Sequence, residues 1–412
     1  MNPIYNFLAY ALFYLALFYT TTFITALFMN QHKLYPKRKK LTRKPFVTII
    51  VPAFNEEKDV HRGINALKKV KYSNVEFLVI NDGSTDKTSE VVREHIKGDD
   101  RFKFIDRKEN RGKANTLNQG IEVAKGELVA CMDADSMVEP RILNKTVQYF
   151  NDDPNMGAVT VSVVAHNPQG WLEKLIDIEY HIGLSLFIKI KSFFNAVFVT
   201  PGPFSLYRKK FLQKIGGFDP TNITEDLEIA YRLQKNGYNI QTALNAEVRT
   251  VLPKGFKNIY IQRRRWYTGG LQTLVQHKDM LFNSKYGVFA YLVPFNFILI
   301  FGGLILFFTS MWLSLTNFAD LISFFQHTSL DLWNRLFRYN FDILNTGTIN
   351  IVGYLALIFS AVMAVIGISF LRVDMSKKVK GIMLFPLMFL LYQIYWSGSI
   401  YNFLRGKKVK WR

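Results

Sequence analysis

The sequence of 412 residues contains a single cysteine, Cys131. One thiol cannot form a disulfide within the chain, which excludes a disulfide-bonded scaffold and fits a reducing compartment. Its position in an apolar run predicts a small buried strand residue. Low-complexity tracts, internal repeats and a recognisable regulatory segment are also missing. The informative features are therefore the apolar runs and the polar motifs between them.

Acidic residues are scarce: 32 Asp and Glu stand against 52 Lys and Arg, which gives a net charge of +20. Such a surplus can indicate nucleic-acid binding, but here the basic residues gather beside uncharged runs instead of covering one soluble face. The densest cluster follows the first uncharged run and consists of Lys33, Lys37, Arg38, Lys39, Lys40, Arg43 and Lys44. A cluster in this place favours contact with anionic lipids. We therefore expect membrane lipids as partners and no nucleic acid.

Charge is absent altogether from four long runs, which are residues 4–29, 286–319, 343–371 and 381–404. Each is long enough to cross a hydrocarbon core of about 30 Å as a helix of about 20 residues. No small-residue cleavage site follows the first run, so we expect it to be a membrane anchor. The basic cluster after this run places that flank, and the domain that follows, in the cytoplasm by the positive-inside tendency.

The sequence leaves the side of the C-terminus open. Four crossings would put both ends of the chain outside, whereas a cytoplasmic position is favoured by the basic residues of the tail, Arg405, Lys407, Lys408, Lys410 and Arg412. Three arrangements fit this pattern: the tail is an exception, the last run is re-entrant, or the run 286–319 crosses twice.

Between residues 45 and 284, short apolar runs typical of strands alternate with helical patterns. The strand runs are 46–51, 75–80, 102–105 and 128–132, and the helical patterns are 60–70, 88–96 and 114–124. This alternation predicts an α/β domain with a doubly wound, mostly parallel sheet. In such sheets ligands bind beyond the carboxyl ends of the strands.

Polar motifs follow three of the predicted strands at those ends. Asp82, in the motif 81–86, is placed to accept hydrogen bonds from a nucleoside, although a hexapeptide of this kind is on its own also a turn with a helix cap. Asp133 and Asp135 are two residues apart in extended sequence and so share one face. Two neighbouring carboxylates favour Mg²⁺ or Mn²⁺, which take their other ligands from waters and substrate phosphates.

The third helical pattern begins with two cations, Arg111 and Lys113. Helix starts normally favour negative side chains, and an anion from outside the chain would reconcile the two. We therefore place Lys113 on the nucleotide side of the site. The alternative is a solvated lysine on an exposed turn.

A second acidic motif is Thr224-Glu225-Asp226. Thr224 can cap the following helix, which Gly237 would end. Capping does not require both acids, so one is free to face the crevice as a general base. An ordinary carboxylate is a weak base for a hydroxyl, and we therefore expect Asp226 to be partly desolvated with a raised pKa.

The segment Gln262-Arg263-Arg264-Arg265-Trp266 directly precedes the last three uncharged runs. For two of the three arginines, the alternative to a role in the site is a snorkelling position at the membrane interface. One guanidinium can hold a departing diphosphate, and the indole can form a platform for a sugar ring.

These motifs, in this order and over nearly the whole chain, resemble the membrane-integrated synthases of glycosyltransferase family 2, which make cellulose, chitin, hyaluronan and poly-N-acetylglucosamine. Residues 110–118 and 265–270 are most similar to the poly-N-acetylglucosamine synthases, and residues 202–208 to the chitin and hyaluronan synthases. The resemblance implies a GT-A-type sheet domain. Together, motifs and resemblance assign nucleotide binding to Pro52, Phe54, Glu56, Asp82, Lys113, Asp133 and Arg265, metal binding to Asp133 and Asp135, acceptor binding to Glu225, Gln262 and Trp266, and the catalytic base to Asp226.

The implied activity is inverting transfer of a sugar from a UDP-sugar, with UDP-N-acetylglucosamine as one candidate, to a growing β-linked polysaccharide that is extruded across the membrane. Small membrane or export subunits are possible partners. The alternatives are transfer of one sugar to a polyprenyl phosphate or other lipid, and a non-catalytic membrane binding or transport module. We expect five segments: a transmembrane helix (1–32), a basic linker (33–44), a cytoplasmic transferase domain (45–252), interfacial helices (253–285) and a transmembrane region of about three spans (286–412).

Overall fold

The computed structural model describes residues 3–36, 41–328 and 348–406. Residues 37–40 of the basic cluster, the tail from residue 407 and the start of the third uncharged run lie outside the described residues. Within the described ranges, three helices are long and apolar enough to cross a membrane, namely Tyr5–Met29, Phe289–Trp312 and Val379–Leu404. Their length and composition mark the chain as a membrane protein.

The eight strands are β1 (Val47–Ala53), β2 (Val75–Asp82), β3 (Phe102–Arg107), β4 (Leu128–Cys131), β5 (Ser136–Val138), β6 (Met156–Ala165), β7 (Ser205–Arg208) and β8 (Asn239–Thr250). The helices before the membrane region are α1 (Pro3–Met29), α2 (Val60–Lys68), α3 (Thr88–Ile96), α4 (Lys113–Val123), α5 (Ile142–Asp152), α6 (Trp171–Glu179), α7 (Ile188–Ser192), α8 (Lys209–Lys214), α9 (Glu225–Lys235) and α10 (Gly255–Gln276). A π-helix, Tyr180–Phe187, joins α6 to α7. The later helices are α11 (Phe289–Thr328), α12 (Thr348–Phe370), α13 (Val379–Leu384) and α14 (Met388–Leu404).

The strands form one sheet in the order β3-β2-β1-β4-β7-β6-β8-β5. β1 pairs in parallel with β2 and β4, β2 pairs in parallel with β3, and β6 pairs in parallel with β8. β7 is antiparallel to both β4 and β6, and β5 is antiparallel to β8. Six of the eight strands therefore point the same way and end at one edge. The predicted α/β class with a mostly parallel sheet is confirmed, and the first four strands lie close to their predicted positions.

An apolar layer covers each face of the sheet. Alternate residues of β1 point to opposite faces and so pack into different layers. Ile49 packs in a buried cluster with α2 and α5, whereas Ile50 packs with α4 and α9. Gly120 allows α4 to lie directly on β1, since a Cβ at this position would be 2.7 Å from Ile50 Cγ2. The sheet is thus buried on both faces, as its long apolar strands predict.

The sheet domain packs against the apolar helices α1 and α12 through α6, the π-helix and α7. Ile182 of the π-helix packs with Phe23 of α1 and Ala364 of α12. Lys378, which precedes α13, forms an ion pair with the buried carboxylate of Asp177 on α6. The start of the last apolar segment is therefore held against the sheet domain.

The run from residue 286 forms one helix, α11, with Pro294 inside it. A tight hairpin within 286–319 is therefore wrong.

The last helix, α14, packs closely along α10. A Cβ at Gly398 would collide with the hydroxyl of Tyr260, and the rings of Tyr267 and Trp396 stack with centroids 4.4 Å apart. Tyr395 of the same helix is buried in the core that lies under the sheet. Through α10, the last apolar segment thus becomes part of the wall of the site described next.

Candidate active site

The carboxyl edge of the sheet opens into a cavity of about 1500 Å³ that also runs between the candidate membrane spans α11 and α14. Every residue assigned to the site from the sequence lines this cavity except Asp82. The sheet supplies one end of the cavity, α9 and α10 supply its middle, and α11 and α14 supply the other end. Residues far apart in the chain are therefore brought to one continuous space.

Lys113 lies at the centre of the acidic residues. Its ammonium nitrogen is 2.7 Å from Asp133 Oδ1 and 2.7 Å from Glu225 Oε1. Burial lowers the pKa of Lys113, but Asp133 and Glu225 outweigh burial and leave this pKa well above its usual value. The lysine is therefore a charged residue of the site whose side chain is only 12% exposed, and not a solvated one.

Asp226 lies one residue into α9 and is partly exposed to the cavity. Its backbone carbonyl accepts hydrogen bonds from the amide of Thr200 (3.0 Å) and from the hydroxyl of the same residue (2.7 Å). The amide of Gly202 donates to Asp226 Oδ2 over 3.3 Å. Burial, followed by the charge of Glu225, raises the pKa of Asp226 to about 7. A carboxyl group of this pKa can take up and release a proton near neutral pH.

Asp133 and Asp135 follow β4 and face the same cavity. The amide of Asp133 donates to the carbonyl of Gly202 over 3.1 Å, and Asp135 Oδ1 accepts a hydrogen bond from the hydroxyl of Ser136 over 3.2 Å. A Cβ at Gly202 would lie 2.8 Å from Asp133 Oδ2, so only glycine leaves this carboxylate its room.

The donor set fits a hard divalent cation. Over residues 3–36, 41–328 and 348–406, no group of three or more His, Cys, Asp and Glu side chains is arranged to hold a metal. Two carboxylates beside a cavity suit Mg²⁺ or Mn²⁺, because these ions complete their shell with waters and substrate phosphates. Asp133 and Asp135 are therefore the residues that could hold such an ion.

Asp82 ends β2 and is buried, with its carboxylate turned to the loop before α4. Its Oδ1 accepts from the guanidinium of Arg107 (2.9 Å) and from the amide of Arg111 (3.0 Å), and its Oδ2 accepts from the amide of Gly112 (2.8 Å). Gly112 has a φ of +87°, a value that favours glycine. In this arrangement Asp82 fixes the loop that delivers Lys113. Direct contact between Asp82 and a nucleotide stays a prediction.

The segment from Gln262 to Trp266 lies on α10, and Gln262, Arg265 and Trp266 face the cavity as assigned. Arg263 does not extend to the membrane interface: it is 2% exposed, and its Nη2 is 2.5 Å from Glu179 Oε2. The snorkelling interpretation is wrong for Arg263, because a buried carboxylate pairs with it. No feature of the sequence singles out Glu179 as this partner, because α6 also carries Glu173 and Asp177.

Beyond Trp266 the cavity continues between α11 and α14. Its walls there carry amide and aromatic side chains, including Asn296, Phe297, Gln393 and Trp396. Asn296 also accepts a hydrogen bond from Tyr19 of α1 over 2.6 Å. The site thus opens from the edge of the sheet toward the candidate membrane spans.

The fold and the order of these motifs define a class of protein that the comparisons identify. Residues 44–269 match the family described as glycosyltransferase like family 2, which is more than half of the chain, and the chain belongs to this family. The predicted family is thereby confirmed.

Its relatives include poly-beta-1,6-N-acetyl-D-glucosamine synthases. The chain is 33% identical to the synthase of Staphylococcus aureus (strain COL) over 230 residues, which are 56% of this chain and 56% of that protein. It is 29% identical to the synthase of Staphylococcus epidermidis over 276 residues, 66% of this chain and 67% of that protein. The match thus spans little more than half the length of the Staphylococcus aureus relatives.

One solved structure supports the GT-A-type fold along almost the whole chain. A mannosyltransferase from Pyrobaculum calidifontis, solved in complex with GDP-Man and Mn²⁺, superposes with a TM-score of 0.60 at 19% identity. The match covers 96% of this chain and 100% of that one.

Proposed function

We propose that this chain is an inverting glycosyltransferase that moves a sugar from a UDP-sugar to a growing β-linked polysaccharide. The observation that carries the proposal is the single cavity, which joins Asp133 and Asp226 to Trp266 and then to α11 and α14. Two of the relatives, from Staphylococcus aureus and Staphylococcus epidermidis, are named as synthases of a polymer of N-acetylglucosamine. UDP-N-acetylglucosamine is therefore the proposed donor.

The nucleotide-sugar is proposed to lie along Pro52, Phe54 and Glu56, with its diphosphate between Lys113 and Arg265. Asp133 and Asp135 would hold Mg²⁺ or Mn²⁺, and the Mn²⁺ in the structurally related mannosyltransferase supports the use of a divalent ion. Such an ion neutralises charge on a leaving diphosphate. Asp82 would contribute indirectly, by fixing the loop of Lys113.

Transfer is proposed as one displacement. Asp226 accepts the proton of an acceptor hydroxyl while that oxygen attacks the anomeric carbon, and the bond from this carbon to the diphosphate breaks with both electrons leaving on UDP. Attack opposite the leaving group inverts the anomeric carbon. Lys113 and Arg265 stabilise the negative charge that grows on the diphosphate, as preorganised charges do in many enzymes. Glu225, Gln262 and Trp266 position the acceptor.

The size of the cavity favours a polymer over a single sugar as acceptor. Ligand pockets for one small molecule measure about 300–1,000 Å³, whereas this cavity measures about 1500 Å³. Its far end, between Asn296 and Trp396, is lined by amide and aromatic groups that suit sugar rings. Extrusion of the polymer along this path, a cytoplasmic transferase domain, the five segment boundaries and any small partner subunits are parts of the same proposal.

The test is to incubate the purified full chain in lipid with single UDP-sugars and Mg²⁺ or Mn²⁺, and to size the products. A ladder of polymer from UDP-N-acetylglucosamine is expected. Asp226→Asn should lower the rate by about 10²–10⁴-fold, the usual range for loss of a general base, while UDP still binds. A single glycolipid product would instead establish transfer to a lipid. Absence of UDP release with every sugar would refute the enzymatic proposal and favour a non-catalytic module.

A further inference from the structure

Two buried charged side chains and a partly buried tyrosine form a cluster beside Trp266. The Glu179 carboxylate pairs with Arg263 over 2.5 Å through Oε2 and accepts a hydrogen bond from the Tyr392 hydroxyl over 2.9 Å through Oε1. Glu179 ends α6, Arg263 lies on α10 and Tyr392 lies on α14. We call these three residues the collar. The collar ties the sheet domain, the helix of Trp266 and the last apolar helix together at the middle of the cavity.

The positive charge of Arg263 is neutralised within the collar by the carboxylate of Glu179. Burial lowers the pKa of Arg263, but Glu179 outweighs burial and raises it, and burial raises the pKa of Glu179. A buried ion pair of this kind contributes little to stability compared with apolar residues of the same volume. Its use is to fix the geometry of the groups around it. Arg263 is therefore poorly suited to hold a diphosphate, unlike Arg265.

Arg263 is well placed to fix the indole of Trp266. The two residues are three apart on α10, so they share one face of the helix. The guanidinium carbon of Arg263 is 4.3 Å from the centroid of the Trp266 ring and 5.5 Å from that of Tyr180. The rings of Tyr180 and Trp266 lie 28° from parallel with centroids 6.4 Å apart. A planar cation stacked in this way orients an aromatic ring.

We propose that Glu179, Arg263 and Tyr392 are positioning residues that set the orientation of Trp266 and so the affinity for the acceptor end of the polymer. This inference rests on the proposed function, because it takes Trp266 as the acceptor platform. The collar acts on acceptor binding and leaves nucleotide binding unchanged.

The test measures equilibrium binding, which does not depend on turnover. In the full chain, the double variant Glu179→Leu/Arg263→Met removes both charges together and leaves no unpaired buried charge that would endanger folding. Calorimetry with a β-linked N-acetylglucosamine pentamer should show an affinity about tenfold weaker, the change expected for loss of a stacked cation in a desolvated site. The affinity for UDP should stay within about twofold of the wild type.

Arg263→Lys separates positioning from simple charge pairing. Lysine keeps the charge for Glu179 but lacks the planar group that stacks on the indole. We expect this variant to bind the pentamer nearly as weakly as the double variant. Restoration of wild-type affinity by lysine would overturn the inference, since the pair would then be only structural.

A matched control is the exposed pair of Glu247 and Arg249, joined over 2.7 Å on β8. Glu247→Leu/Arg249→Met should leave the affinities for the pentamer and for UDP unchanged. Unchanged pentamer binding in the collar variant, or an equal loss of UDP binding, would overturn the inference. Failure of the proposed function would give a different result: the wild-type protein itself would release no UDP from any UDP-sugar.

Discussion

The ammonium of Lys113 lies 2.7 Å from the carboxylate of Asp133. Asp133 is also one of the two residues proposed to hold a divalent ion, so lysine and metal compete for the same negative charge. Removing the lysine should therefore have opposite effects on two ligands, and this contrast makes its role measurable.

Lys113→Met is expected to strengthen the binding of Mn²⁺ alone and to weaken the binding of UDP-sugar, each by about tenfold, which is about 1.4 kcal/mol. Mn²⁺ gains because Asp133 and Glu225 lose their internal counter-ion, and the nucleotide loses a cation beside its diphosphate. Calorimetry with Mn²⁺ in the absence of nucleotide gives the first value. Lys108→Met, at an exposed lysine of the preceding loop, should change neither; weaker Mn²⁺ binding by the Lys113 variant would contradict the competition.

The pH dependence of transfer should report Asp226. Burial raises its pKa to about 7, and only the ionised carboxylate can accept a proton from the acceptor. The rate constant at saturating substrate should therefore be level above about pH 7 and fall by about tenfold for each unit below it. A profile with its inflection near pH 4, where an ordinary aspartate titrates, would contradict the assignment.

Lys191 is buried on α7, with its ammonium 3.9 Å from the centroid of the Phe198 ring. Burial lowers its pKa to about 7. Between pH 7 and the higher pKa of the unfolded chain, the unfolded state binds more protons, so folding stability rises with pH in this window. Lys191→Met should therefore raise the thermal unfolding midpoint in detergent, and by more at pH 7 than at pH 9.5.

The control for Lys191 is Lys210, an exposed lysine whose ammonium is 5.2 Å from the centroid of the Phe211 ring. Lys210→Met should leave the midpoint within a degree or so at both pH values, because exposed substitutions are usually worth less than about 0.5 kcal/mol. An equal rise in both variants would show that removal of any lysine, and not burial, is responsible.

Gly398 tests the contact between α14 and α10. A Cβ at this position collides with the hydroxyl of Tyr260, so Gly398→Ala should destabilise the chain by about 1–3 kcal/mol, as overpacking does. The added substitution Tyr260→Phe should restore part of the thermal midpoint. Gly303→Ala serves as control, since a Cβ there meets no heavy atom within 4 Å. No rescue by Tyr260→Phe would place the cost elsewhere.

The first half of the sheet was predictable because strand and helix patterns alternate regularly in its sequence and polar motifs mark the ends of the strands. The strands β1 to β4 are apolar runs that end in polar motifs, and α2, α3 and α4 separate them. Strands β6 and β8 were not predicted. β6 is buried along all ten residues and so lacks the alternation of a half-buried strand. β8 does alternate, with Asn239 and Gln241 partly exposed and Ile240 and Thr242 buried, but it is not an apolar run of the kind that marks β1 to β4.

Site residues that lie in a recognisable motif at the end of a strand or the start of a helix could be predicted from the sequence. Contacts between side chains that are distant in the chain could not. Asp133, Asp135 and Asp226 face the cavity as their spacing suggests. The partner of Arg263 lies 84 residues earlier and that of Lys378 lies 201 residues earlier. Pairs of this kind follow from tertiary packing, which the local pattern of a sequence does not encode.

The contacts of α10 also limit how such chains can be recombined. Gly269 of α10 packs against Thr224, which directly precedes α9, and Tyr260 of α10 packs against Gly398 of α14. A Cβ at either glycine would collide with its partner. A hybrid that takes its sheet domain from one relative and its last apolar helix from another would break one of these two fits wherever the parents differ at the contacting residues. Exchange between relatives is expected to preserve both fits when residues 224, 255–276 and 388–404 come from the same parent.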